Sequence, residues 1–101
     1  MKAWSLQAVG RLVYGDVPVP DPAPGWTLVR VGAVGICSSD VGRVFTKGTY
    51  HFPTIPGHEF AGTVERVSDG TNAGWLGRRV AVFPLIPCGK CSLGVKTTFC
   101  P

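Results

Sequence analysis

The chain has no long hydrophobic run: nothing in its 101 residues approaches the ~18 apolar positions of a membrane span. Its opening, MKAWSLQAVG, carries one Lys and no apolar segment of secretory-signal length. These absences lead to the expectation of a cytoplasmic protein without a membrane partner. The formal charge is +4, yet the ten Lys and Arg are scattered, and Arg78-Arg79 is their only adjacent pair. Without a basic stripe to follow phosphates, nucleic acid is not an expected partner. There is no G-x-G-x-x-G turn, so the chain offers no evident place for a dinucleotide. A long amphipathic helical pattern and internal repeats are missing as well. Cysteines number only four, and in a reducing compartment the C-x2-C of "CGKC" reads first as metal ligands.

What is present points to one loop-rich β domain. Hydrophobic residues make up 45% of the chain and ten residues are aromatic, which is enough for a core. Fourteen Gly and nine Pro promise turns and interrupted strands. "KAWSLQ" and "RLVYGDV", divided by Gly10, read as a hairpin, and "PVPDPAPG" forbids regular structure. Trp26–Ile36 reads as a longer strand. "SSDVGRVF" holds at most a short helix capped by Ser38 or Ser39, and "FAGTVERV" and "RRVAVFPL" alternate as strands do.

Cys37, His58 and Glu59 are the close grouping of metal-compatible side chains in the first two-thirds of the chain, and zinc accepts a thiolate, an imidazole and a carboxylate. The residues themselves leave a second reading open, with Cys37 a small buried hydrophobe, His58 a satisfied turn histidine and Glu59 a surface charge. The flanks favour a site. Gly57 and Gly62 allow close backbone approach, and Asp40, three residues after Cys37, can accept a hydrogen bond from a ligand histidine and fix its tautomer.

"GICSSD" followed by "PTIPGHEFAGTV" resembles the catalytic-zinc signature of the zinc-dependent medium-chain alcohol dehydrogenases. Within that family the stretch is most similar to the branch acting on polyols and sugar-alcohol phosphates. The resemblance implies a mainly β, GroES-like distorted barrel with one or two short helices over residues 1–101, the N-terminal part of a catalytic domain whose Rossmann partner is absent. It implies Cys37 and His58 as zinc ligands, Glu59 as a direct or intermittent ligand, Ser39 as the proton-relay hydroxyl and Asp40 as the acceptor behind a ligand histidine. The implied reaction is oxidation of an alcohol or polyol, with a metal-polarised hydroxyl losing its proton and hydride passing to NAD or NADP. The family commonly supplies a further ligand from later in the chain, so zinc affinity is expected to suffer if Glu59 does not ligate, and with no evident place for a dinucleotide the 101 residues alone are expected to be inactive.

The tail, residues 84–101, is similar to the family's structural-zinc lobe but departs from its C-x2-C-x2-C-x7-C pattern. Cys88 and Cys91 are present, Gly94 stands at the third position, and Cys100 comes two residues early. Three thiols fall short of a closed tetrahedral site, so a shortened lobe with weak or no zinc is expected. Tyr50, His51 and Phe52 fall where the resembled enzymes line their substrate pocket, while Arg43 and Lys47 suit either a phosphorylated substrate or a solvated face. A stand-alone zinc-binding interaction module, with homo-oligomerisation through an exposed apolar barrel surface, is the alternative function. A zinc-ribbon nucleic-acid binder would need a second ligand pair, which the sequence does not supply.

Overall fold

The computed structural model describes residues 1–68, 73–86 and 90. Two antiparallel sheets carry it, in keeping with the expected mainly β class. Strands β1 (Lys2–Ala8) and β2 (Arg11–Asp16) form the hairpin expected around Gly10, whose φ of 74° suits a residue without Cβ. Trp4 stands opposite Tyr14, with ring centroids 5.1 Å apart, and Leu6 opposite Leu12. Leu6 is fully buried, and with Val44 and Val64 it makes up the buried apolar core of the described residues.

The second sheet runs β3 (Thr27–Gly35), β4 (Glu59–Val67), β5 (Arg79–Val82), each antiparallel to its neighbour. Its register explains how residues distant in sequence meet. Gly35, the last residue of β3, pairs with Glu59, the first of β4. The chain leaving β3 at Cys37 therefore passes beside the chain entering β4 at His58. An irregularity between Val31 and Ala33 lies opposite Gly62, where a Cβ would come within 2.3 Å of the Arg30 carbonyl oxygen.

Helix α1 (Ser38–Gly42) continues into a π-helical turn, Arg43–Lys47. The cap differs from the expectation of Ser38 or Ser39. Both serines are already helical, and Cys37 in extended conformation is the N-cap, its backbone N–H donating to Asp40 Oδ2 at 3.0 Å. The Asp40 carboxylate thus satisfies the N-cap residue's own amide, the half of a capping box that runs from N3 back to the N-cap. Gly42, at φ −61° and ψ −43°, sits in ordinary helical geometry with open space where a Cβ would go. Gly42→Ala is accordingly expected to stabilise the chain by about 0.5–1 kcal/mol, read from the urea midpoint, because only the unfolded state loses freedom.

The hairpin holds both ends of the segment that follows. Leu6 and Thr54 exchange backbone hydrogen bonds at 2.8 and 3.0 Å, and the Gly10 N–H donates to the Val44 carbonyl at 2.7 Å. No helix among the described residues is long and apolar enough to cross a membrane.

Candidate metal centre

Three side chains meet where β3 ends and β4 begins. Cys37 Sγ, a ring nitrogen of His58 and a carboxylate oxygen of Glu59 all lie within 4.8 Å of one another. Gly57 makes the approach possible: its φ is 119°, and a Cβ there would stand 2.9 Å from Val34 Cγ1. Any other residue would be strained at this φ and would crowd the Val34 side chain at the end of β3.

Asp40 is buried and sits behind the histidine, with Oδ1 3.3 Å from His58 Nδ1. His58 Nε2, on the other edge of the ring, is 4.0 Å from Glu59 Oε1. A carboxylate facing Nδ1 favours the tautomer with its proton there and directs the Nε2 lone pair toward the thiol and Glu59. The same Asp40 accepts the Cys37 amide, so one carboxylate fixes both the backbone of one donor and the ring of the other. Asp40→Asn keeps the shape and removes the charge. It is expected to weaken zinc binding by about 10–100-fold, measured by competition with a chromophoric chelator.

Ser39 lies in the first turn of α1, and its hydroxyl oxygen accepts from Arg43 Nη1 at 3.1 Å. Arg43 Nη1 also stands 3.9 Å from Asp40 Oδ1. This arginine contact was not foreseen from the sequence, although the Ser39–Arg43 spacing of one helical turn could have suggested it. Cys88, Cys91 and Cys100 lie outside the described residues.

The electrostatics favour a charged pair. Hydrogen bonding from the Ser39 hydroxyl, then from its backbone N–H and from His58, holds the Cys37 thiol below the usual cysteine range, against burial and the Glu59 charge. His58 is pushed up, first by its hydrogen bond to Cys37 and further by the charges of Asp40, Cys37 and Glu59, with burial opposing. The lowered thiol means that alkylation of Cys37 in the metal-free chain should already be fast at a pH where ordinary cysteines remain protonated. Peptide-resolved iodoacetamide labelling across pH is expected to show this, and Ser39→Ala to move the midpoint upward. For metal uptake the sign runs the other way. A raised His58 keeps its proton to higher pH, so zinc binding should begin to weaken on acidification sooner than for a free histidine.

Against known proteins, the model of the alcohol dehydrogenase GroES-like domain matches residues 23–99. Over 93 residues the chain is 44% identical to D-altritol 5-dehydrogenase of Agrobacterium fabrum, covering 91% of this chain and 28% of that protein. Galactitol-1-phosphate dehydrogenase from Escherichia coli superposes with a TM-score of 0.84 at 30% identity, over 95% of this chain and 28% of that one. A cobalt- and zinc-bound thermostable alcohol dehydrogenase from Pyrobaculum aerophilum gives a TM-score of 0.87 at 31% identity, over 95% of this chain and 30% of that one. The chain therefore spans less than a third of the length of these relatives.

Proposed function

Because the chain belongs to the alcohol dehydrogenase GroES-like domain family, we propose that it carries the zinc-holding part of an alcohol or polyol dehydrogenase, with Cys37, His58 and Glu59 as ligands. The meeting of these three donors is the observation that carries the reading. Tetrahedral zinc with ligands at 2.0–2.3 Å needs donor atoms about 3.3–3.8 Å apart. Donors already within 4.8 Å would close by about an ångström, which side-chain rotation supplies. Thiolate, imidazole and carboxylate are a donor set that zinc accepts, and three protein ligands leave the open position of a catalytic site. When bound, the metal would supply Lewis-acid polarisation of a substrate hydroxyl.

The chain's own residues have separate tasks in this reading. Cys37 and His58 hold the metal, and Asp40 keeps the His58 lone pair directed at it. Ser39 takes the substrate proton. Arg43 can donate but not accept, so a proton released by Ser39 would leave toward solvent rather than along the helix. NAD or NADP would be held by residues other than these 101, which contain no phosphate-binding glycine turn. Ile36, Phe45 and Trp26 are 84%, 65% and 62% exposed, and further protein, including a second copy, would cover such apolar surface.

Cobalt substitution tests the reading. Titration with Co²⁺ is expected to give a thiolate-to-metal charge-transfer band that survives Cys88→Ser and is absent from Cys37→Ala. A band lost on Cys88→Ser and kept in Cys37→Ala would refute it.

A further inference from the structure

Arg43 makes an unexpected choice of partner. Its Nη1 donates to Ser39 Oγ at 3.1 Å and stands 3.9 Å from Asp40 Oδ1, so the cation takes its hydrogen bond from a neutral hydroxyl although a carboxylate is next to it. Coulomb attraction alone would choose the reverse. The reason lies in Asp40, whose oxygens are both committed: Oδ2 accepts the Cys37 amide at 3.0 Å and Oδ1 faces His58 Nδ1 at 3.3 Å. Ser39, one helical turn before Arg43, is the acceptor left within its reach.

The consequence for Ser39 follows from its inventory of one proton and two lone pairs. A guanidinium has N–H groups and no acceptor, so Ser39 Oγ meets Arg43 with a lone pair and must send its own proton elsewhere. A serine inside a helix can give that proton to the carbonyl four residues back. Ser39 is only the second residue of α1, and residue 35 belongs to β3, so the helix offers no such carbonyl. The proton goes to Cys37, whose thiol is hydrogen-bonded by the Ser39 hydroxyl. One lone pair then remains. We propose that Arg43 is a positioning residue of the metal centre, which acts through Ser39: it turns the hydroxyl so that its proton points at Cys37 Sγ and leaves one lone pair open to the O–H of a substrate. The proposal rests on the zinc reading above and deepens it. Without Arg43 the hydroxyl rotates among its staggered positions, and both the hydrogen bond to sulfur and the open lone pair lose their fixed direction.

The cobalt-loaded chain tests this, because its thiolate-to-metal charge-transfer band reports the hydrogen bond on sulfur. A proton donated to the thiolate lowers the energy of the sulfur electrons and places the band at shorter wavelength. Ser39→Ala removes that donor and is expected to move the band to longer wavelength. Arg43→Met keeps the length of a half-exposed side chain and its helix propensity but has no N–H. It should move the band in the same direction by a smaller amount and weaken cobalt binding by about tenfold, the low end for a group supporting a metal ligand. Arg43→Lys can still donate and should return the band to its wild-type position. In the double variant Arg43→Met, Ser39→Ala the band should stand where Ser39→Ala alone puts it, since Arg43 acts only through the hydroxyl. An unmoved band in Arg43→Met, as a merely structural arginine would give, or shifts that add in the double variant, would overturn the positioning role and leave the metal reading standing. An unaltered chain with no charge-transfer band, or a band that persists in Cys37→Ala, would overturn the metal reading and the positioning role with it.

Discussion

His58→Ala is expected to lower zinc affinity by on the order of a hundred- to a thousandfold. Structural zinc sites bind with about 10–16 kcal/mol shared among four ligands, so one imidazole accounts for two to three decades. The loss is larger than for Glu59→Gln, because Glu59 is half-exposed at the start of β4 and water can replace one carboxylate oxygen. About tenfold is expected there, on the scale of one supporting contact. Competition titration on the two variants checks the order. Equal affinities for wild type and His58→Ala would show that zinc binds somewhere other than the end of β3.

Gly62→Val is expected to have the largest effect on stability. A Cβ at residue 62 would fall 2.3 Å from the Arg30 carbonyl oxygen and 2.9 Å from Val29 Cγ1. The first of these atoms is backbone, so nothing flexible can yield, and β3 must separate from β4 at the irregularity between Val31 and Ala33. Overpacking of this kind typically costs about 1–3 kcal/mol and occasionally more, and with rigid backbone in the way the upper end is expected, a large fraction of what so small a core provides. Urea denaturation should show a lower midpoint or no cooperative transition. Since β3–β4 pairing also sets Cys37 beside His58, the variant should lose zinc affinity as well. Gly74→Ala, with open space around it, should lower neither.

The limits of the sequence reading follow from the same register. Gly10, the apolar alternation of β4 and β5 and the prolines before Trp26 are local signals, and the strands formed where those signals lie. The pairing of Gly35 with Glu59 is not local. Spacing could name Cys37, His58 and Glu59 as compatible donors but could not bring them together, and only the resemblance of "GICSSD" and "GHE" to a known signature suggested that they meet. The helix cap was misassigned because hydroxyl side chains are the favoured N-caps, whereas here the amide of Cys37 is satisfied by Asp40.

The most direct test is zinc K-edge X-ray absorption on the triple variant Cys88→Ser, Cys91→Ser, Cys100→Ser, which leaves Cys37 as the sole sulfur donor among the cysteines. One zinc per chain, with one sulfur at about 2.3 Å and the remaining ligands nitrogen or oxygen, is the result that a Cys37–His58–Glu59 centre predicts. A triple variant that takes up no zinc, while the unaltered chain shows two or more sulfurs around its metal, would contradict it.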